Sequence, residues 1–294
     1  MSVRFGTNPI AWSNDDLREL GGATSLETCL TEASAAGFEG IELGHKFPRD
    51  VGLLRPMLAR HGLALVSGWY SSRLLERDAA AELRAMRDHL ALLRDLGCDV
   101  LILAETSNAI HGDRAAPLSR RLELADREWP RFAGRLTELA DAVAKQGLRI
   151  AYHHHMGTIV QSEAEIDRLM LLTGPSLTLL LDIGHASFAG ADPIALAHRH
   201  RDRIGHVHCK DVRRTVMDDV LRDDLSFLDS VVDGVFTVPG DGMVDFATVL
   251  EQLPDYAGWL VVEAEQDPAK AHPLTYARLG HDNLAGFAKR AGLR

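Results

Sequence analysis

Four short apolar runs in this chain each finish in side chains that bind metals or move protons. They are Tyr152-His153-His154-His155, Leu181-Asp182-Ile183-Gly184-His185, His206-Val207-His208-Cys209-Lys210-Asp211 and Val261-Val262-Glu263-Ala264-Glu265. Alternate residues of a strand share a face, so His153 goes with His155 and His206 with His208, while Asp182 and Glu263 close their own runs. Two imidazoles and two carboxylates suit Mn2+, Fe2+, Co2+ or Zn2+ better than Mg2+, because imidazole is a borderline ligand and carboxylate a hard one. A lone His or Asp at a strand end is more often a hydrogen-bonded loop residue than a ligand. Four strand ends in agreement make a divalent-metal enzyme the expectation.

The neighbours of these groups divide by position. His154 is expected to face the helices or solvent. His185, three residues past Asp182, falls in the loop, behind the ligands or against the substrate. Glu105 follows an apolar run and reads equally as a wall of the site or as the cap of the next turn. A second cluster lies in the first third of the chain: Asn8-Pro9-Ile10-Ala11-Trp12, Glu42-Leu43-Gly44-His45-Lys46 and Ser67-Gly68-Trp69-Tyr70-Ser71. Amides, hydroxyls, a cation and aromatic faces together suit a polyhydroxylated ring. Lys46 is a candidate for stabilising negative charge on a reacting oxygen.

To bring strand ends together the chain needs a parallel sheet, and its pattern supplies one. Strands are predicted at Val3 to Thr7, Gly40 to Leu43, Ala64 to Trp69, Val100 to Ala104, Arg149 to His155, Leu177 to Asp182, Ile204 to His208 and Trp259 to Glu263. Between them lie amphipathic stretches over Leu26 to Ala36, Ala79 to Leu96, Leu122 to Gln146, Glu163 to Leu172 and Phe246 to Leu253, with a last one from Leu274 to Ala291. Thr24-Ser25 offers hydroxyl caps to the first helix, and Gly37, Gly62, Gly97 and Gly147 stand where helices should stop. The alternation predicts an α/β protein, a single (β/α)8 TIM barrel over residues 1–294 with its active site at the C-terminal ends of the strands. An open doubly wound sheet is the weaker reading. No GxGxxG follows the first strand and no GxxxxGK[ST] occurs, so a nucleotide cofactor is not expected.

Composition narrows the function further. A formal charge of −10 opposes non-specific binding to nucleic acid. The three cysteines, Cys29, Cys98 and Cys209, are too few and too scattered for a disulfide framework or a CxxC zinc site, which fits a reducing cytoplasm. The first residues have no apolar signal core and no run is long enough to span a bilayer, so neither export nor membrane association is expected. Barrels of this size often self-associate, and a homo-oligomer is expected. The segment from Arg213 to Val232 reads as a lid or as an oligomer contact.

Several runs carry a specific likeness: Gly6-Thr7-Asn8-Pro9-Ile10, Glu19-Leu20-Gly21-Gly22, Gly37-Phe38-Glu39-Gly40-Ile41-Glu42, Ser67-Gly68-Trp69-Tyr70, Tyr152-His153-His154-His155-Met156-Gly157-Thr158, His208-Cys209-Lys210-Asp211 and Phe236-Thr237-Val238-Pro239-Gly240-Asp241-Gly242. With them the chain resembles the myo-inosose-2 dehydratases, or 2-keto-myo-inositol dehydratases, within the xylose isomerase-like, endonuclease IV-like barrel superfamily. The likeness extends over nearly the whole chain.

The resemblance implies conversion of 2-keto-myo-inositol to a trihydroxycyclohexane-1,2-dione with loss of water, in inositol catabolism, aided by Mn2+ or Co2+. Asp182, His208 and Glu263 match the superfamily's metal ligands. On the fifth strand many relatives carry Glu where this chain has His153, so the fourth ligand is His153, His155 or a water. That departure removes a carboxylate which isomerase relatives use as a base, and so weighs against simple epimerisation. A sugar or cyclitol isomerase using the same metal chemistry is the alternative. The proton transfers are expected of His155, His185 or Glu105, with Lys46 orienting substrate oxygens. Substrate contacts are expected from Asn8, Trp12, His45, Lys46, Trp69, Tyr70, Lys210 and Asp211.

Overall fold

The computed structural model describes residues 2–294. Seven strands follow one another along the chain, β1 (Arg4–Thr7), β2 (Gly40–Leu43), β3 (Ala64–Ser72), β4 (Val100–Glu105), β5 (Arg149–His153), β6 (Leu177–Asp182) and β7 (Ile204–Cys209). A short antiparallel pair, β8 (Asp211–Val212) with β9 (Phe236–Thr237), precedes β10 (Trp259–Val262). β10 pairs in parallel with both β7 and β1, which closes an eight-stranded barrel in the order β1-β10-β7-β6-β5-β4-β3-β2. All eight expected strands are present, and their bounds differ by at most a few residues from those read in the sequence.

The barrel interior is filled rather than hollow, as the tilt of eight strands requires. Val66, Trp259 and Val261 form one layer, and Val100, Ile102, Ala151 and Leu180 form another with Trp69 packed against it. Gly40 makes room for the indole: a Cβ there would sit 2.6 Å from Val66 Cγ2 and 2.7 Å from Trp259 Cη2. These residues fix which positions face inward. On β4 they are Val100 and Ile102, so Glu105 falls on the opposite parity. On β5, β6 and β7 the inward set continues to His153, Asp182 and His208. Register then sets the candidate ligands side by side, with Asp182 opposite His208 across the β6–β7 ladder and His208 opposite Val261 across β7–β10.

The helix stops fall where the glycines were read. Gly37, Gly62, Gly97 and Gly147 all have positive φ, between 66° and 99°, a conformation that costs glycine little. Helix extents differ more. The stretch expected as one helix from Ala79 breaks at Met86 into Ala79–Ala85 and Arg87–Asp95. The one expected from Leu122 begins at Trp129, with Pro130 in its first turn, where a missing N–H costs nothing. Helices at Val51–Arg60, Ile183–Phe188 and Pro193–His200 were not anticipated; the first contains Pro56 and the others are short. Residues 214–233 fold as Arg214–Arg222 and Phe227–Asp233. Their apolar sides join Met156, Phe188 and Phe236 in a cluster outside the main core.

Candidate active site

Each ligand candidate is aimed by the groups around it. Asp182 caps the helix Ile183–Phe188, its Oδ1 accepting from the His185 N–H at 2.7 Å, which leaves Oδ2 for the barrel mouth. His153 Nδ1 lies 2.6 Å from the His154 carbonyl. A carbonyl only accepts, so Nδ1 carries the proton and Nε2 keeps its lone pair, 3.4 Å from Asp182 Oδ2. His208 is turned the other way. Its Nε2 meets Glu42 Oε1 at 3.1 Å, and its Nδ1 lies 3.4 Å from Asp182 Oδ2 and 2.9 Å from Glu263 Oε2.

The donor atoms of His153, Asp182, His208 and Glu263 all lie within 4.8 Å of one another, and all four residues are buried. Three of those atoms, Asp182 Oδ2, His208 Nδ1 and Glu263 Oε2, make no properly aligned hydrogen bond. Buried polar atoms without partners are costly in a folded protein. A divalent cation would satisfy all three, and a mixed imidazole and carboxylate set fits a borderline to hard metal. The residues therefore fit a metal centre, with Glu42 as the carboxylate that orients His208 from behind. Glu42 is a hub: besides His208 it accepts from His206 Nε2 at 2.8 Å, Ser67 Oγ at 2.7 Å and Asn8 Nδ2 at 2.7 Å. Asn8 in turn donates to Glu263 Oε1 at 3.1 Å.

The electrostatics are those of a buried charge cluster. Burial alone would push the Asp182 and Glu42 carboxyls up, but Lys210 and His185 beside Asp182, and His208 and His206 beside Glu42, hold both well below the usual range. Burial opposes charge on His208 and Lys210 as well. Glu263 and Glu42 outweigh it for His208, and Asp182, Glu263 and Glu265 do so for Lys210, so both sit above their ordinary values. Lys210 is fully buried, with Nζ 2.6 Å from Glu265, 3.0 Å from Glu263 and 3.0 Å from His185 Nε2. Gly184 gives it space, since a Cβ there would lie 2.6 Å from Lys210 Cγ.

A cavity of about 110 Å³ opens over this cluster, lined by His153, His208 and Glu263 with His155, Trp69 and Asn8 among others. His155 Nδ1 lies 2.7 Å from the Met156 carbonyl, so its Nε2 holds the lone pair. Burial, with His185, His111 and His153 close by, keeps this imidazole well below its ordinary pKa. His185 does not line the cavity. It lies behind His155, ring centroids 3.8 Å apart, under Phe227 and Phe236, and burial and Lys210 keep it neutral. Residues 214–233 thus back the site wall through Phe227, whose ring is 5.0 Å from His155.

Several expected site residues have their polar groups engaged by neighbouring parts of the scaffold. Lys46 gives its ammonium to the carbonyls of Gly21, Gly22 and Thr24, and His45 is held by Asp15, 2.5 Å from its Nδ1; both lie outside the cavity. Trp12 is fully buried and donates to Glu32 at 2.7 Å. Glu105, on the outward parity of β4, accepts from Ser72, from the Leu74 and Ser107 N–H groups and from the Ser107 hydroxyl, and so clasps a turn. The Tyr70 hydroxyl donates to Glu82 at 2.8 Å. Asp211 accepts from four backbone N–H groups, those of Val212, Gly240, Gly242 and Val244. His154 is buried rather than solvent-facing, its Nε2 accepting from the Asp182 N–H at 3.2 Å. Asp15, Asp16, Ser71, His111 and Glu265 line the cavity without having been assigned a role from sequence. Only Glu265, two residues past Glu263 and so on its parity, carried a signal that could have found it.

Residues 30–285 match the family model described as xylose isomerase-like TIM barrel. The chain belongs to that family. Among curated proteins it is 53% identical to the rhizopine catabolism protein MocC of Rhizobium meliloti, over 100% of this chain and 91% of that one. It is 44% identical to an inosose dehydratase of Geobacillus thermodenitrificans, over 94% of each. Among solved structures, the probable 3-DHS dehydratase AsbF of Bacillus anthracis superposes with a TM-score of 0.68 at 16% identity, over 94% of this chain and 98% of that one. At that identity the likeness is one of fold. No helix among the described residues is long and apolar enough to cross a membrane.

Proposed function

We propose that this protein is a metal-dependent hydro-lyase that removes water from 2-keto-myo-inositol, giving a trihydroxycyclohexane-1,2-dione in inositol catabolism. The observation that carries the reading is the cluster of four buried ligand atoms, all within 4.8 Å of one another, at the floor of a cavity that also holds the free Nε2 of His155. Relatives named inosose dehydratase, 42–44% identical over 94% of this chain, supply the substrate. His153, Asp182, His208 and Glu263 would hold Mn2+ or Co2+, and when bound the cation supplies Lewis-acid polarisation of the ketone.

The remaining chemistry falls to the chain's own groups. His155 Nε2 takes the proton from the carbon next to the ketone. The same imidazolium returns it to the hydroxyl leaving from the following carbon. Proton and hydroxyl depart as one water, and the enol left behind relaxes to the dione. The burial that holds His155 neutral readies it as a base, and the Met156 carbonyl fixes its tautomer. Trp69, its ring edge-on to His153 and His155, offers an apolar face to ring C–H groups.

The relative at 53% identity carries a rhizopine-catabolism name, so a substrate from that route is the second reading. Incubation with 2-keto-myo-inositol and Mn2+ or Co2+, followed by product mass, separates the two. Metal-dependent loss of one water supports the dehydratase; an untouched substrate supports the alternative; and an unchanged mass with a rearranged product would indicate an isomerase. We read the chain as one catalytic domain of the reducing cytoplasm, which its three free, buried cysteines support, and as a homo-oligomer.

A further inference from the structure

The wall of the active-site cavity is acidic. Asp15, Asp16, Glu42, Glu263 and Glu265 line it, and no Lys or Arg does so. The one nearby ammonium, Lys210, lies behind the wall against Glu263 and Glu265. A dication on the ligand set would offset Asp182 and Glu263, Lys210 is paired with Glu265 and His45 holds Asp15, which leaves Asp16 facing whatever enters.

Of these, Asp16 is the one presented without a partner. The loop after β1 is fastened around it: Asn14 Oδ1 accepts from the Asp16 and Leu17 N–H groups at 2.8 and 2.7 Å, His45 holds Asp15, and Lys46 holds the far end through three carbonyls. Among the described residues the Asp16 carboxyl itself makes no hydrogen bond or ion pair. The groups that expected residues gave up to the scaffold are therefore what fix this loop over the cavity. A carboxyl held at an entrance and free to meet the ligand is placed to select by charge, since a local field in a narrow cleft acts on ligands of either sign.

We infer that Asp16 is a specificity-determining residue, which makes this site reject rings bearing phosphate or carboxylate and accept rings that are neutral or carry an ammonium group. The inference rests on the reading that the cavity takes a cyclitol. Its setting agrees: Asp16 is exposed at the cavity, and partial desolvation of its carboxyl there, then Glu265, Asp15 and Glu263, raise it above the ordinary aspartate range, against the opposing pull of Lys210. His111 and His155 also line the cavity, so a test belongs at pH 8, where Asp16 is largely ionised and these two imidazoles, held below their ordinary range by burial, are neutral.

The experiment is calorimetric titration of the Mn2+-loaded protein at pH 8 and low salt with three probes: myo-inositol, myo-inositol 1-phosphate, and an inositol with one hydroxyl replaced by an ammonium. Wild type should bind the phosphate about tenfold or more weakly than myo-inositol, and the ammonium compound at least as tightly. Asp16→Asn should narrow the phosphate penalty several-fold with little change for myo-inositol. An unaltered ratio in Asp16→Asn would show that size rather than this charge excludes the phosphate, and would overturn the inference. Equal binding of phosphate and myo-inositol by wild type would overturn it too. If no probe binds, the cyclitol reading falls with it. Binding in the expected order without water loss from 2-keto-myo-inositol would remove the reaction alone and leave the inference supported.

Discussion

Replacing Glu42 with Gln tests whether the metal centre is held from behind. The substitution keeps volume and shape but removes a charge from a residue that is 2% exposed. An amide oxygen in the place of Oε1 can still accept from Ser67, His206 and His208. The amide nitrogen then replaces Oε2, which now accepts from Asn8 Nδ2 at 2.7 Å, and two donors face each other. Asn8 cannot escape by flipping, because its Oδ1 accepts from the Ile10 N–H at 2.9 Å and its Nδ2 also holds Glu263. The clash is therefore passed to Glu263, a candidate ligand. At the same time His208 loses a charged acceptor for a neutral one, and hydrogen bonds to charged groups are stronger by about 1 kcal/mol. Loss of such an outer partner weakens metal binding about 10–100-fold, equivalent to about 1.4–2.7 kcal/mol. Titration of the metal-free variant with Mn2+ against a fluorescent chelator reads this directly, with circular dichroism to show that the fold is kept. A folded Glu42→Gln protein with wild-type Mn2+ affinity would refute the claim that Glu42 orients the site.

Two further outcomes follow from the same geometry. His155→Asn should lower the rate of water loss about 10²–10⁴-fold while Mn2+ affinity stays near wild type, because His155 borders the metal cluster without belonging to it; a variant that turns over normally would remove His155 as the base. Stability should also carry the signature of Asp16. Partial desolvation and the neighbouring Glu265, Asp15 and Glu263 raise its carboxyl above the ordinary value of 3.8, so the folded state holds its proton over a range where the unfolded chain has lost it. That stabilisation is complete below about pH 4 and is lost as pH rises through the raised pKa of the folded state. In the presence of a chelator, Asp16→Asn should gain Tm relative to wild type between pH 4 and pH 8, and parallel curves would contradict the assignment.

The barrel and the cluster of candidate ligands were legible in the sequence for the same reason. A strand buried on both faces reads as an apolar run, and strict alternation then says which terminal residues share a side. Val261, Glu263 and Glu265 fall on one parity, as do His206 and His208 and also His153 and His155, so the strand ends offered this candidate set without knowledge of the loops but left open which histidine of the fifth strand joins it. Loop residues gave less. Lys46, His45, Trp12 and Tyr70 have the right chemistry for a polyol, but nothing in their order along the chain says that the loop after β1 would fold back and claim Lys46 and His45, or that Glu32 and Glu82 would meet the two aromatic donors. Glu105 was ambiguous because strand β4 extends through it, which sets its parity outward. Glu42 was missed for the converse reason: it lies on an inward position of β2, and its partners on β7 are reached across the barrel, 164 and 166 residues away in sequence.

The central claim is that water loss occurs at this cluster and needs a metal there. Wild type and Asp182→Ala, both stripped and then equilibrated with the same buffered Mn2+, would be given 2-keto-myo-inositol and followed by product mass and bound metal. Wild type should retain the metal and convert substrate to a product lighter by one water, while Asp182→Ala should do neither. Full conversion by stripped wild type, or by an Asp182→Ala protein that holds no metal, would contradict the account.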